Sequence, residues 1–321
     1  MVILSDILLL PSIIIPLFIE FLLFLLLSYS ALYTLILLKS YKQNQSSLKH
    51  YRLEEKSHLI TTIIFLSLLI KLALLPFFFY TLDTISTFLP GAMCSAGVIS
   101  ANGFGNTTVI LKIFVIFVAL LWLKLNKEDE KTPHQPYFRI KLYLYLFLYF
   151  SIMLELYLEF SFLSFLSTES VVECCSSLYS TSDADIFSFT DFSLLLLFTF
   201  LFLLTLILNY YKKRYISTFI SSLFLLISYY TLLYIFSPYI YELPTHQCPY
   251  CMLKKEYHFV GYLIYFSLFM GFYYSLSTLF FHFSHKEYKK SSFFFLLFFL
   301  LSSGNLALYL IKNKTFLSSL F

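Results

Sequence analysis

The residues most suited to chemistry in this sequence are five cysteines, all in three short segments between long apolar runs. The third segment contains a Cys-x-x-Cys pair, Cys248-Pro-Tyr-Cys251, in which proline restricts the turn. Thiolate is both the nucleophilic and the metal-binding form of cysteine, so the pair suits redox or metal chemistry. The run from Met252 to Gly261 leads into an apolar stretch. We therefore predict that Cys251 lies near a helix N-terminus, with Cys248 farther out.

The other two cysteine segments differ in character. Residues 90–105 hold Cys94 and four of the seven glycines, and this glycine content predicts a small folded lid around the thiol. The remaining segment holds Cys174 and Cys175, which are adjacent and therefore poorly placed to bond to each other. We expect separate partners for them, one pairing with Cys94 and the other exchanging with Cys248, or joint binding of a soft metal such as Cu(I).

Metal binding is an open alternative for the same segments. The candidate ligands for copper or zinc are Cys94, Cys174, Cys175 and His246. A second, more cramped set for zinc consists of Cys248, Cys251, His246 and His258. Covalent haem is disfavoured, because methionine rather than histidine follows the Cys-x-x-Cys pair.

The composition indicates the elements that must position these residues. Of 321 residues, 59% are apolar and only 12% are charged, which is typical of a polytopic membrane protein. The apolar runs are continuous, so they predict helices rather than a β-barrel. We predict one all-α membrane domain over residues 1–321, with the first span retained. Its eight spans are expected at residues 12–38, 59–80, 107–124, 142–163, 192–210, 216–238, 258–280 and 292–311.

Charge predicts the orientation of these spans. Sixteen of the 22 basic residues lie in alternate linkers, around residues 39–58, 124–141, 212–214 and 286–290, which the positive-inside rule places in the cytoplasm. Both termini and the loops 81–106, 164–191 and 239–257 are then external. These three loops contain every cysteine, and disulfides persist outside the cytoplasm. We predict an inner-membrane protein of a bacterium with periplasmic cysteine loops, in contact with lipid and without a nucleic-acid partner.

Charged residues within the predicted spans are a second candidate site. Lys71 and Glu155 lie at similar depths, as do Lys112 and Glu159, so two ion pairs are expected. The two glutamates share one helix face, and Glu20 is able to join either pair. The pairs either fix helix packing or form a proton or ion path.

The stretch Cys-Pro-Tyr-Cys-Met-Leu-Lys-Lys, with a glycine early in the next span, resembles the motif of the bacterial disulfide bond formation protein B family. The order of the cysteines is similar to that in the vitamin K epoxide reductase family. The resemblance covers about 15 of the 321 residues and implies a membrane thiol oxidase that passes electrons to quinone. It also implies that Cys251 faces the quinone, that Cys248 exchanges with a loop cysteine, and that Lys255 replaces a quinone-side arginine.

The chain departs from these families in three respects. It has eight predicted spans rather than four or five, a lysine in place of the arginine, and no cysteine after Cys251. The whole cysteine pattern also looks like an uncharacterised group of bacterial integral membrane proteins, for which the resemblance implies no function.

The sequence thus leads to one main functional hypothesis and two alternatives. The first is a thiol-disulfide oxidoreductase that oxidises the dithiols of an external thioredoxin-like or cysteine-containing protein. Its catalytic residues would be Cys94, Cys174, Cys175, Cys248 and Cys251. Its quinone would be bound by Lys255, Glu256 and His258. The alternatives are a membrane protein that binds or transports copper or zinc, and a scaffold whose external disulfides are purely structural.

Overall fold

The fold was analysed in a computed structural model, which describes residues 10–40, 48–131, 137–167, 171–172, 191–244, 246–280 and 285–314. Within these ranges the chain is helical and has no strand. Eight helical segments are long and apolar enough to cross a membrane. The predicted all-α class and the eight spans are therefore confirmed, and the chain is an integral membrane protein. The external position of both termini stays a prediction.

The helices occupy the following ranges in chain order: α1 Pro11–Ser40, α2 Leu48–Ser86, α3 Ser95–Ser100, α4 Gly105–Asp129, α5 Phe138–Ser164, α6 Asp191–Tyr210, α7 Arg214–Thr231, α8 Ser237–Tyr241, α9 Val260–Phe280 and α10 His285–Asn313. A π-helical turn, Leu232–Phe236, joins α7 to α8. Two 3-10 turns, Cys251–Leu253 and Lys255–Tyr257, precede α9. The sixth span is thus a composite of α7, the π turn and α8.

Two helices begin earlier than their predicted spans. Helix α2 begins at Leu48 instead of residue 59, and α10 begins at His285 instead of residue 292. Hydropathy detects only the apolar part of a membrane helix, whereas Leu, Lys, Arg and Glu have high helix propensity and continue the helix beyond it. Parts of the basic linkers are therefore helical.

The chain divides into two compact units, and each has a core of its own. The N-terminal unit combines Met1–Pro90 with Val98–Ser170. In it α1 packs against α2 and α5, and α4 also packs against α2 and α5, which closes a ring of four helices. Its core includes Trp122, which donates a hydrogen bond to the carbonyl oxygen of Lys141 at 3.1 Å.

The C-terminal unit combines Gly91–Gly97 with Val171–Phe321. Helices α6, α7, α9 and α10 form a second closed ring, because α7 packs against α6 and α9 while α10 packs against the same two helices. Phenylalanine fills much of the core, and the rings of Phe202 and Phe299 stack at a centroid distance of 4.3 Å. A Cβ atom on Gly271 would lie 2.6 Å from the ring of Phe295, so glycine permits the close approach of α9 and α10.

Large apolar side chains remain exposed along the spanning helices of both units. Examples are Phe18, Leu32, Ile110, Leu226 and Leu300. Such extensive apolar exposure would promote association in water but suits contact with lipid tails. The surface of each unit therefore supports the predicted contact with membrane lipid.

Candidate functional site

Three of the five cysteines meet in the C-terminal unit. The Sγ atoms of Cys94, Cys248 and Cys251 all lie within 4.8 Å of one another. Those of Cys94 and Cys248 are 3.6 Å apart, which is close contact between two thiols and longer than a disulfide bond of about 2.05 Å. Cys174 and Cys175 lie outside the described residues.

The three thiols are withdrawn from the surface. Cys94 is 1% exposed, Cys248 0% and Cys251 5%. The turn that carries the Cys-x-x-Cys pair folds into the same apolar core as Met252. That Cys248 lies farther from the membrane than Cys251 stays a prediction.

The local structure of the Cys-x-x-Cys segment also differs from the prediction. Cys251 opens a 3-10 turn of three residues, and α9 begins only at Val260. His258 and Phe259 adopt positive φ angles of 52° and 56°, so a continuous helix from Cys251 into the span is impossible. Cys251 is therefore not at the N-terminus of the membrane helix, and the dipole of α9 does not act on it through a continuous helix.

The Cys-x-x-Cys segment nevertheless packs against the start of α9. A Cβ atom on Gly261 would lie 2.4 Å from the Cγ atom of Met252 and 2.9 Å from its backbone carbonyl carbon and oxygen. Only glycine leaves room for this approach. The residue next to Cys251 is thus docked directly on the first turn of α9.

Two tyrosine hydroxyl groups fix the backbone of the same segment. Tyr241, the last residue of α8, donates a short hydrogen bond to the carbonyl oxygen of Cys248 and accepts one of 2.9 Å from the backbone N–H of Met252. Tyr265 of α9 donates to the carbonyl oxygen of Pro249 at 2.8 Å. The two hydroxyls therefore hold both ends of the Cys-x-x-Cys turn, and buried backbone groups require such partners.

We expect Tyr241→Phe to loosen the turn while leaving the apolar packing of the ring in place. The change leaves one buried acceptor and one buried donor without the hydroxyl, at a cost of about 1–3 kcal/mol. The rate at which a maleimide dye labels Cys248 and Cys251 in the folded protein should rise. Tyr239→Phe, in the same helix, is the control. Equal labelling rates in the two variants would contradict the role assigned to Tyr241.

The segment that carries Cys94 is attached to the same turn. The Nζ atom of Lys254 donates to the carbonyl oxygen of Met93 at 2.7 Å, which ties the residue before Cys94 to the residues after Cys251. Gly91 has a φ angle of +87°, and a Cβ atom there would lie 2.3 Å from the carbonyl oxygen of Val172. These contacts and the short helix α3 agree with a folded segment around Cys94.

The remaining residues predicted for this region lie apart from the thiol cluster. Lys255, Glu256 and His258 are exposed, and their predicted contact with a quinone stays a prediction. The ring of His246 packs edge-on against Tyr241, with centroids 4.7 Å apart. His246 does not belong to the group of potential ligands formed by the three cysteines.

No protein-family model, curated protein or solved structure matches this chain.

The intramembrane charges form one network in the N-terminal unit. Lys71 lies 3.0 Å from Glu155, and Lys112 lies 2.9 Å from Glu159, as the depth of these residues suggested. Lys112 also lies 2.8 Å from both Glu155 and Glu20, and Lys71 lies 3.6 Å from Glu20. Two separate pairs are therefore too simple a description. The structure joins α1, α2, α4 and α5 through five buried charges.

Sequence reasoning missed the two tyrosines that hold the thiol turn. The chain has 27 tyrosines, and no local motif distinguishes Tyr241 or Tyr265 from the others. Tyr241 does stand close before the Cys-x-x-Cys pair, at the end of an apolar run. This nearness in sequence was the one available sign that the Tyr241 side chain could reach the two cysteines.

Proposed function

We propose that the chain is a membrane thiol-disulfide oxidoreductase in which Cys94, Cys248 and Cys251 exchange one disulfide. The main support is the distance of 3.6 Å between the sulfurs of Cys94 and Cys248, with the third sulfur within 4.8 Å of both. Such spacing suits exchange, in which a thiolate attacks one sulfur of a neighbouring disulfide. It also agrees with the resemblance of the Cys-x-x-Cys segment to membrane thiol oxidases.

The proposed cycle starts from a disulfide between Cys94 and Cys248. A thiolate of the external substrate attacks Cys94, the Cys248 thiolate leaves, and the second substrate thiol then releases Cys94 and forms the substrate disulfide. Two electrons have now entered the protein. Loss of two electrons and two protons to an acceptor joins Cys248 to Cys251. Attack of the Cys94 thiolate on Cys248 regenerates the starting disulfide and releases Cys251.

The burial of the thiols imposes a requirement on this cycle. An external thioredoxin-like or cysteine-containing protein reaches Cys94 only when the segment around it moves. The bond from Lys254 to Met93 is exposed, so it is a contact that opens without disturbing the aromatic core. Cys174 and Cys175 remain proposed shuttles between the external substrate and Cys94.

The proposed electron acceptor is a quinone, which takes up two electrons and two protons and dissolves in the membrane. Cys251 is the most exposed of the three thiols, and the partly buried rings of Tyr250 and Tyr257 pack against the same core. Such apolar, aromatic surroundings fit a quinone ring. Exposed Lys255 and His258 would supply hydrogen-bond donors near the surface. The bacterial inner membrane, with these residues on the periplasmic side, is the proposed location.

The proposal is tested with purified protein in lipid nanodiscs, a model dithiol and a water-soluble quinone. Each of Cys94→Ser, Cys248→Ser and Cys251→Ser should reduce quinone-dependent oxidation of the dithiol to the background rate. Disulfide mapping by mass spectrometry should find the Cys94–Cys248 bond in Cys251→Ser and the Cys248–Cys251 bond in Cys94→Ser. Unchanged turnover in these variants would contradict the proposal. Loss of stability on reduction without any electron transfer would instead favour a structural scaffold.

A soft-metal protein is the second candidate, supported by the same three sulfurs. Three thiolates within 4.8 Å of one another match a small coordination sphere for Cu(I), whereas a structural zinc site usually needs a fourth ligand. Elemental analysis beside a thiol titration separates the candidates. Stoichiometric copper that disappears in Cys94→Ser, with no quinone-dependent turnover, would favour metal handling over redox exchange.

A further inference from the structure

The buried network of the N-terminal unit has an uneven charge. It contains the carboxyl groups of Glu20, Glu155 and Glu159 and the ammonium groups of Lys71 and Lys112, and each of these side chains is at most 6% exposed. Full ionisation would give three negative and two positive charges. An uncompensated charge in the membrane is costly, so the network favours one additional positive partner.

The place of a metal ion among the carboxylates is already taken by Lys112. Its Nζ atom lies 2.8 Å from Glu20, 2.8 Å from Glu155 and 2.9 Å from Glu159. An ammonium group has three N–H donors, and this geometry directs one to each carboxyl group. A metal ion would have to displace the ammonium, which would remain as a buried cation. A proton is the small cation that the network accepts without such a displacement.

The contacts also indicate which carboxyl group holds the proton. Glu20 and Glu155 each lie close to both Lys71 and Lys112. Among the described residues, Glu159 has only Lys112 as a cationic neighbour. The carboxyl group with the fewest cations around it gains least from ionisation, so protonation is least costly at Glu159.

Glu20 is placed to accept a hydrogen bond from such a proton. A carboxyl oxygen of Glu20 and one of Glu159 lie within 4.8 Å of each other, so the two groups are direct neighbours in the network. The Oε2 atom of Glu20 is buried, and no described donor reaches it while all carboxyl groups are ionised. Titratable groups that face Glu159 are Glu20 of α1, Lys112 of α4 and Glu155 of its own helix.

A cavity of about 20 Å³ adjoins the two carboxyl groups. This volume holds one water molecule, for which roughly 10–15 Å³ is needed. Its lining combines both carboxyl groups with Thr81 and with apolar residues from the start of α1 and the ends of α2 and α5, such as Ile13, Leu82 and Leu163. The cavity therefore extends from the network towards one membrane face.

We propose that Glu20 and Glu159 form a buried proton-binding site in which one exchangeable proton rests on Glu159 and is donated to Glu20. One water molecule in the adjoining cavity links this proton to the membrane face at which α2 and α5 end. The protein therefore binds a proton within the membrane, independently of its thiols.

Infrared spectroscopy of the purified protein in nanodiscs tests the site directly. A protonated carboxyl group has a C=O stretching band that carboxylates lack, and this band shifts when the proton is exchanged for deuterium. We expect such a band at neutral pH in the wild type. Glu159→Gln and Glu20→Gln each restore an equal number of charges, so each should abolish it. Glu128→Gln changes an exposed carboxyl group in the same unit and should retain the band.

The two glutamine variants protect the test against loss of folding, because each is nearly isosteric and either one suffices. Absence of the band from the wild type, or its persistence in both glutamine variants, would overturn the site. Leu163→Phe tests the route by filling the cavity. It should slow the deuterium shift of the band without removing the band, and an unchanged rate would overturn the role of the cavity.

Discussion

Replacement of Lys112 by methionine is expected to be among the most destabilising single changes in this chain. The ammonium group contacts three buried carboxyl groups at 2.8–2.9 Å, and its removal leaves only Lys71 to balance them. Breaking a buried charge network from one side typically costs about 3–5 kcal/mol. Trp122 is the single tryptophan and lies in the core of the same unit, so its fluorescence during thermal unfolding provides the measurement.

Two comparisons make this result specific to charge. Lys131→Met removes an exposed ion pair with Glu128 and should change stability by no more than about 1 kcal/mol. The double variant Lys112→Met with Glu20→Gln carries one fewer unbalanced carboxylate and leaves Glu155 paired with Lys71, so it should be more stable than Lys112→Met alone. Equal stability of Lys112→Met and Lys131→Met would show that the network is not balanced as described.

Gly261→Ala is expected to disturb the cluster of three cysteine thiols, although Gly261 is not one of these cysteines. The added Cβ atom would lie 2.4 Å from Met252 Cγ and 2.9 Å from its backbone carbonyl, distances that force the turn away from α9. Overpacking of this kind costs about 1–3 kcal/mol. Because Cys251 precedes Met252, its thiol should become accessible to a maleimide dye, and the yield of the Cys248–Cys251 disulfide should change.

Gly304→Ala is the matched control for this prediction. Gly304 also lies in a membrane helix of the C-terminal unit, but a Cβ atom there meets nothing within 4 Å. This variant should keep the labelling rate of the wild type, and the higher helix propensity of alanine favours its folding. A labelling rate in Gly261→Ala equal to that in Gly304→Ala would contradict the docking of Met252 on α9.

The spans and the partners of the charged residues were accessible from sequence because both follow from distances along a helix. Continuous apolar runs predict membrane helices, and the depth of Lys71, Lys112, Glu155 and Glu159 predicts which of them meet. The contribution of Glu20 was left open, because sequence does not fix the rotation of α1 about its own axis. That rotation depends on how the four helices of the unit pack.

The thiol cluster was only partly predictable. Loop charge and cysteine position indicated that Cys94, Cys248 and Cys251 share one region, but the spacing of their sulfurs depends on turns that local sequence does not reveal. His258 and Phe259 have positive φ angles without being glycine or asparagine, so their residue types gave no warning of the break before α9. The burial of Cys248 likewise follows from tertiary packing.

The π turn between α7 and α8 determines the direction of the Tyr241 side chain at the end of the sixth span. In this turn the backbone N–H of Ser237 donates to the carbonyl oxygen of Leu232, five residues earlier, so the turn contains one residue more than an α-helical turn. One extra residue changes the angular phase of everything after it by about 100°. Tyr241 meets the carbonyl of Cys248 in this shifted phase. The single extra residue in this hydrophobic helix thus sets the direction of the Tyr241 side chain. Deleting that residue would turn the hydroxyl group away from the cysteines while leaving the hydropathy profile almost unchanged.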